Sequence, residues 1–585
     1  MAMHSLKFWR SCLLLLLTLS FLLLPTACRR TGPKPASETE ADLDVDEDAD
    51  VDAEEDFEGE DDIRNYEGLE ISSPDELSQG VGKSPRVIEE ASASVKPTQY
   101  GIAISTSNVL ASQAAAGILS AGGNAFDAAI TASFVLSVVE PYASGIGGSG
   151  ALLFYLASED KYNFLDYRSS SGLQTSKQSD IGIPGLVYGM YNLHSLFGHL
   201  PWQDLLQPAI KLAGEGFIVN NDLARAMRIA TQPLMQNEAF VKNGELVKSG
   251  DLLVQTKLAE TLKAIAAEGA SAFYNGPIAD EIAAKTPLTK DDLAAYQSYY
   301  RDAVQTEFKG QTFVSAPPPY SGITILQMLR MAELLDTPSK SPDSPEFLSD
   351  VERLSLVAYD RQKRIVGDPQ HVEFNPEKLL SDKYLKKYLE RGLWENEPTD
   401  SQEQCTTHIS IVDSEGNVVS LTNTLTSFWG SAVEVGGFYL NNSLSNFSRN
   451  KRNYYRPMTR PRSFIAPMII ASPDGAKMAI GTPGGKLIPK FLFPILLDYY
   501  VYGDELETAI NKQRFFFKAK SAITIEDDQG ILPTWPLPLD DYYITKYGYH
   551  DYFGSVAVAG YHADGSPYAI SDFRRQGLAI AKTEN

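Results

Sequence analysis

Apolar and polar positions alternate along this chain in two rhythms, one of period two and one near 3.6. Tyr100 to Ser105 alternates as a short strand. Asn108 to Ser120 is an Ala-rich helix, ended by Gly122-Gly123 as a C-terminal glycine cap would end it. Ala125 to Val139 is apolar nearly all round, which predicts a buried helix. The glycine-rich run Gly145 to Gly150 leads into the apolar stretch Ala151 to Leu156. It precedes a strand and lacks the Lys-Ser/Thr ending of a phosphate loop, so close backbone packing explains it better. Pro201 to Leu335 reads as mainly helical with Gly and Pro breaks, and Pro317 to Gly322 as a rigid turn before another helix. The clearest β pattern comes later: His408 to Val412 alternates, Asp413 to Asn417 turns, and Val418 to Leu425 returns. Further strands are expected at Phe438-Leu440, Ala466-Ile470 and Met478-Ile480, and no repeat occurs. Helices early and strands late, with no linker between them, predict stacked helix and sheet layers of an α+β fold.

Charge changes this picture at one end. The 585 residues carry a formal charge of −24, much of it from the acidic stretch Glu38 to Asp62, in which 16 of 25 residues are Asp or Glu. Such a run is a solvated, self-repelling tether. The overall sign argues against a nucleic-acid partner, which is gripped by Lys and Arg. Ahead of the tether, Lys7 and Arg10 precede the apolar run Leu13 to Leu24, which ends at Pro25-Thr26-Ala27-Cys28. A basic start, a short apolar stretch and small residues describe a secretory signal, too short for a comfortable bilayer span. Small residues before Cys28 resemble the bacterial lipoprotein box, which implies acylation of Cys28, although Pro25 stands where that pattern prefers Leu. An uncleaved anchor is the alternative, and it too places the domain outside the cytoplasm. The expected division is a signal peptide over 1–28, an acidic disordered linker over 29–93 and a folded part from 94 onward. The expected location is the outer side of a bacterial membrane, held by a lipid anchor. Three cysteines, Cys12, Cys28 and Cys405, leave one in the folded part, so no internal disulfide framework is available.

Common hydrolytic machinery is missing from the sequence. There is no His-Glu-x-x-His zinc motif and no Gly-x-Ser-x-Gly elbow, and the seven His lack ligand spacing. No metal and no cofactor are expected. Gln404-Cys405-Thr406-Thr407-His408 offers another route. A threonine hydroxyl needs a base within hydrogen-bond reach. Cutting the bond before Thr406 would free an α-amine, which titrates at about 7.7–8.0 and can act as that base. On its own, a Thr-Thr pair is equally two β-formers opening a strand.

Gln404 to Asp413 followed by Gly416-Asn417 resembles the processing site of the γ-glutamyltransferase family. The resemblance runs from about Gly101 to Ala579. It includes Gly122 to Ala129, Gly145 to Gly150, Gly182 to Gly185, Gln207-Pro208-Ala209 and Gly214 to Phe217. It continues through Pro317 to Gly322, Leu440-Asn441-Asn442, Gly481 to Gly485 and Ser571 to Arg574. It implies the N-terminal-nucleophile αββα sandwich, two antiparallel sheets between helical layers. It also implies self-cleavage between Cys405 and Thr406, giving a large part (94–405) and a small part (406–585) that stay together as a heterodimer. By the same resemblance Thr406 is the nucleophile and Thr424 hydrogen-bonds it. Gly484 and Gly485 supply oxyanion-hole N–H groups, and Arg168 grips the α-carboxylate of a small-molecule or peptide γ-glutamyl substrate.

Departures from the family concern the substrate. Ser443 and Asn446 stand where the family carries a Glu or Gln and an Asp that hold the α-ammonium group. Thr426 replaces an Asn, and Ser463-Phe464 replaces a serine pair. Ser448 to Arg462 is shorter than a lid and rich in Arg and Lys, which reads either as an open positive rim or as a solvated loop balancing nearby acids. Three functions stay open on sequence: a γ-glutamyl hydrolase or transferase, a related amidase or acylase with another acyl group, and a weakly active surface binding protein.

Overall fold

The strict alternation around Thr406 folds as the middle of a seven-stranded antiparallel sheet in the computed structural model, which describes residues 99–391, 404–527, 538–548 and 553–583. The signal-like segment, Cys28 and the acidic tether lie outside the described residues. Ile102–Thr106 (β1), Ser149–Leu156 (β2), Lys161–Tyr167 (β3) and Tyr299–Arg301 (β4) join Gln404–Val412 (β7), Val418–Ser427 (β8) and Leu578–Lys582 (β13). Their order is β13-β1-β7-β8-β2-β3-β4. A second, six-stranded antiparallel sheet contains Val304–Phe308 (β5), Gln311–Ser315 (β6), Met468–Ala471 (β9), Lys477–Gly481 (β10), Ala557–Tyr561 (β11) and Pro567–Ser571 (β12). It runs β12-β11-β10-β9-β6-β5.

The sheets face one another, with β7 against β10 and β11. Alternation along β7 assigns each side. Ile409 and Ile411 belong to a core shared with the helices Val109–Ser120 (α1), Ala125–Val139 (α2), Leu186–Phe197 (α3), Trp202–Glu215 (α4) and Thr256–Glu268 (α5). Val412 faces the other way, into a core shared with Gly322–Leu334 (α6), Pro345–Ile365 (α7) and Ile488–Tyr500 (α8). The result is an α+β sandwich of two sheets between helical layers, as expected.

Helix α2 is buried at every one of its positions. Its start is fixed by a capping box, in which Asn124 accepts from Asp127 N and Asp127 accepts from Asn124 N. The glycine cluster ahead of β2 proves to be a close-packing device. An added Cβ would fall 2.3 Å from Tyr439 O at Gly147, 2.6 Å from Thr424 O at Gly148 and 2.4 Å from Thr422 O at Gly150.

Two expectations need correction. The stretch read as mainly helical contains the β5–β6 hairpin. Val304 and Phe308 stand four apart, a spacing that suits a helix turn as well as one face of a strand, and the solvent-facing Gln305 and Glu307 gave no contrary signal. The order is also interleaved rather than helices first: β1 to β3 come early and α8 comes late.

Among the described residues no helix is long and apolar enough to cross a membrane.

Candidate active site

Thr406 sits where β7 and β8 slip by one residue. Cys405 pairs with Thr426 but Thr406 pairs with Thr424, which leaves Leu425 as an extra residue on β8. Such a bulge twists a strand and re-aims its side chains. The Thr406 and Thr424 hydroxyls are brought to 3.5 Å, the outer limit of a hydrogen bond. Thr424 Oγ1 in turn accepts from Thr426 N at 2.8 Å. Thr407, on the opposite face, donates to Ser144 Oγ at 3.0 Å. Thr406 therefore shares the inter-sheet face with His408 and is 1% exposed.

The neighbouring strand stops short of the nucleophile candidate. The last β1–β7 pair is Thr106 with Ile409, so Thr406 to His408 run past the end of β1. Arg575 fills that gap and donates from Nη1 to Thr406 O at 2.8 Å. The same nitrogen lies 3.5 Å from Glu140 Oε2, which also accepts from Ser107 Oγ at 3.0 Å. Neither Arg575 nor Glu140 was picked out from the sequence. The only available signal was the second arginine in Arg574-Arg575, one position beyond the motif quoted above.

Gly484 and Gly485 lie above this strand. At Gly481 an added Cβ would come 2.2 Å from the His408 ring, so only glycine lets β10 approach β7 here. The following turn then reaches β7. Gly484 has φ 140° and Gly485 φ 53°, both in the region that favours glycine. Among the described residues neither N–H donates to a backbone carbonyl outside its own turn.

On the β8 side, Thr426 has φ 85°, an unusual conformation for a β-branched residue. Its hydroxyl is 2.9 Å from Ser443 Oγ. Ser443 is fully buried, and its N–H donates to Asn441 Oδ1 at 3.0 Å. Arg168, which follows β3, is fully buried and reaches Ser149 Oγ at 3.4 Å and Pro461 O at 3.3 Å. Ser149 is the strand partner of Thr424, so Arg168 lies on the β8–β2–β3 side of Thr406. Ser463 belongs to the same segment as Pro461, with its N–H donating to Pro319 O at 2.7 Å. Asn446 stands apart: it is half-buried, and its carbonyl accepts from Asn453 Nδ2 at 2.7 Å. Phe464, in place of a second serine, stacks on Tyr359. Thr406, Thr424, Thr426, Ser443 and Arg168 thus share one neighbourhood; Ser463 is joined to it only through Pro461, two residues earlier, and among the described residues no contact ties the Asn446 side chain to it.

Arg168 is electrostatically unusual. Its Nη2 is buried with no partner among the described residues. Burial pushes its guanidinium down to about 10. The nearest buried carboxylate, Asp166, is already held by Arg301 at 2.9 Å and by Arg460 at 3.4 Å. Burial opposes ionisation of Asp166, but those two guanidiniums keep its carboxyl below the usual range. Asp368 lies 3.5 Å from Arg301 and accepts from Arg460 N at 2.8 Å. Among the described residues Arg168, Arg301 and Arg460 therefore meet only Asp166 and Asp368, which leaves this cluster one anion short.

The positive rim is partly an illusion of composition. Arg460 is 2% exposed in this cluster, and Arg462 is pushed down to about 10 by burial, with Nη1 on Lys363 O at 3.0 Å. Arg449 and Lys451 are exposed.

His408 is enclosed between the sheets, and burial pushes it down to about 3. Its Nδ1 is 2.8 Å from Thr422 Oγ1 and its Nε2 3.1 Å from Ser410 Oγ. Because the folded value lies below the unfolded one, the neutral ring contributes stability above about pH 6.5 and loses it as pH falls toward about 3. Stability should therefore fall on acidification by up to about 1.4 kcal/mol per pH unit from this group. Urea unfolding of the wild type and of His408→Gln between pH 7 and 4 checks this, and the variant should show the shallower dependence.

The γ-glutamyltranspeptidase family model matches residues 111–582. The chain belongs to the γ-glutamyltranspeptidase family. Among curated relatives, it is 40% identical over 430 residues to the capsule biosynthesis protein CapD proenzyme of Bacillus anthracis, covering 73% of this chain and 80% of that one. It is 30% identical over 465 residues to the glutathione hydrolase proenzyme of Escherichia coli, covering 70% of this chain and 80% of that one. Among solved structures, a cephalosporin acylase from Bacillus halodurans superposes with a TM-score of 0.72 at 23% identity, covering 86% of this chain and all of that one. That likeness is one of fold. As a γ-glutamyltranspeptidase-family protein, the chain is an enzyme of the hydrolase/transferase class.

Proposed function

We propose that this family member cuts itself before Thr406 and then transfers an acyl group bearing a free carboxylate from an amide to water or an amine. The observation that carries the proposal is the Thr406–Thr424 hydroxyl pair at a strand bulge, with Gly484-Gly485 above it and the anion-short Arg168 cluster beside it. In the first step Thr406 Oγ attacks the Cys405 carbonyl, the C–N bond breaks, and water hydrolyses the resulting ester. The freed α-amine then takes the hydroxyl proton when Thr406 Oγ attacks a substrate amide. Two glycine N–H groups are suited to the oxyanion, and losing such a donor costs roughly 3–4 kcal/mol. The guanidinium of Arg168 is suited to the acyl carboxylate. The word proenzyme in the names of the two relatives accords with self-cleavage. An intact constellation of this kind weighs against a mere binding protein.

A second reading, an amidase or acylase whose acyl group lacks a free ammonium, draws on Thr426 and Ser443. By the resemblance Ser443 and Asn446, both neutral, stand where the family holds the α-ammonium and Thr426 where it carries an Asn, and the Thr426 and Ser443 hydroxyls satisfy one another. Purified protein should be assayed on γ-glutamyl anilide beside glutaryl anilide and N-acyl-γ-glutamyl anilide. Turnover of none of these carboxylate-bearing donors would refute the proposal, and mass spectrometry should find the acyl group on Thr406. The double variant Thr426→Asn, Ser443→Gln should raise the preference for the free-amine donor by about tenfold in kcat/KM. Asn also tolerates the positive φ that strains Thr426.

For the N-terminal segment we propose export and acylation at Cys28. Cys28→Ser should release the protein from the membrane fraction.

A further inference from the structure

The proposed acyl pocket lies on the β8–β2–β3 side of Thr406, yet an arginine holds the carbonyl of this residue from the other side. We infer that Arg575, anchored by Glu140, is a positioning residue that clamps the main chain of Thr406 from the β1–β13 side. The inference rests on Thr406 being the nucleophile, as proposed above.

The geometry explains why such a clamp is needed. Within a sheet the carbonyl of a strand residue is ordinarily held by its neighbour, but β1 ends at the partner of Ile409. Arg575 takes the place of the missing strand, with its Nη1 2.8 Å from Thr406 O. Its own position is set from two directions. Glu140 terminates α2 and is 2% exposed; its carboxylate lies 3.5 Å from the guanidinium and takes the Ser107 hydroxyl at 3.0 Å. The next residue, Gln576, accepts from Val109 N at 3.2 Å and donates from its own N–H to Asp222 Oδ2 at 3.3 Å. The loop after Glu140 holds the same pair of strands again: Ser144 Oγ takes Thr407, and Ala143 O takes Leu425 N at 3.1 Å.

Cleavage makes this contact consequential. Once Thr406 begins a chain, nothing upstream restrains its Cα. That atom carries three heavy substituents: the carbonyl carbon, Cβ and the amine. Arg575 fixes the first and the Thr424 contact guides the second, so tetrahedral geometry sets the third. An amine placed in this way stays beside the hydroxyl whose proton it must take. A guanidinium near the amine also disfavours its protonation, with Glu140 moderating the effect.

Arg575 borders a cavity of about 950 Å³ as well, together with Asp222, Arg225, Arg228 and Lys248. A ligand contact there is the rival role. Of the cavity's other cations, Arg225 is matched by Asp222, Lys248 by Glu245 and Arg574 by Glu526 and Asp572, so among the described residues only Arg228 is left beside Arg575 to draw an anion.

The test uses the full chain and begins with the wild type. A small fragment starting at Thr406 establishes the nucleophile, and an active but uncut wild type would overturn that reading itself before the clamp is in question. Given cut wild type, Arg575→Met should lower kcat of the processed enzyme by about tenfold or more, with KM held within about twofold. Its kcat should decline at a higher pH on the acidic limb, and Arg575→Lys should restore a substantial share of the rate. A kcat within about twofold of wild type, or a loss expressed in KM alone, overturns the clamp. An Arg575→Met chain that stays uncut while melting like Thr406→Ala supports it, because the same carbonyl steadies the hydroxyl before cleavage. Should Arg575→Met fail to fold, Glu140→Gln is read in its place, with the same split expected and an unchanged kcat overturning the inference.

Discussion

Thr406→Ala is expected to remain one chain on a denaturing gel and to lose at least about 10³-fold in kcat/KM against every carboxylate-bearing donor. The wild type should run as two pieces, the smaller beginning at Thr406 by N-terminal sequencing. On the proposed mechanism both losses follow from a single atom, since the hydroxyl that opens the Cys405–Thr406 bond is the one that later carries the acyl group. The substitution should scarcely disturb folding. Among the described residues the one hydrogen bond of Thr406 Oγ1 is the long 3.5 Å contact to Thr424, and Ala occupies the strand position with less volume. A melting temperature within a few degrees of wild type would therefore accompany complete loss of cleavage. Thr406→Ser should keep cleavage, because the hydroxyl and the future amine are both retained. An Ala variant that still splits at this bond, or that still turns over donors at the wild-type rate, would end the proposed mechanism.

What could be read from the sequence, and what could not, divides along physical lines. The β7–β8 hairpin was legible because its helix-facing residues Ile409, Ile411, Val419 and Leu421 are apolar while its equally buried inter-sheet face carries His408, Ser410, Ser420 and Thr422, and Thr406 lies inside that alternation. Helix α2 was legible because a helix buried on all sides must be apolar on all sides. The β5–β6 edge was not, since its solvent face is polar and its buried residues fall at a spacing shared by helix and strand. The basic segment before Arg462 misled for a different reason. Composition counts charges, but burial decides whether they form a surface, and Arg460 is spent on Asp166 rather than on a rim. Arg575 was illegible because its role depends on where β1 stops. Nothing local to residue 575 records that its guanidinium meets a carbonyl 169 positions earlier in the chain.

Arg168→Met should leave the protein as stable as wild type, or more so, while lowering kcat/KM for carboxylate-bearing donors by about 10² or more. These two outcomes are seldom paired, because removing one member of a buried ion pair usually strands its partner at a cost of about 3–5 kcal/mol. Here no partner is stranded. Asp166 keeps Arg301 and Arg460, and among the described residues the Arg168 guanidinium gives up only contacts of 3.3 and 3.4 Å to Pro461 O and Ser149 Oγ. Folding bears the desolvation of the Arg168 guanidinium without a matching carboxylate, which is the same burial that pushes it down to about 10. Met fills similar volume with no charge to desolvate. A donor's carboxylate, by contrast, would supply the anion that the cluster lacks, and a Met site offers it nothing. Asp166→Asn is the contrasting variant, expected to lower the melting temperature sharply because two buried guanidiniums then lose their shared counter-charge. If Arg168→Met instead destabilised the fold while leaving turnover of carboxylate-bearing donors intact, Arg168 would be a structural cation and the acyl pocket would have to be sought elsewhere.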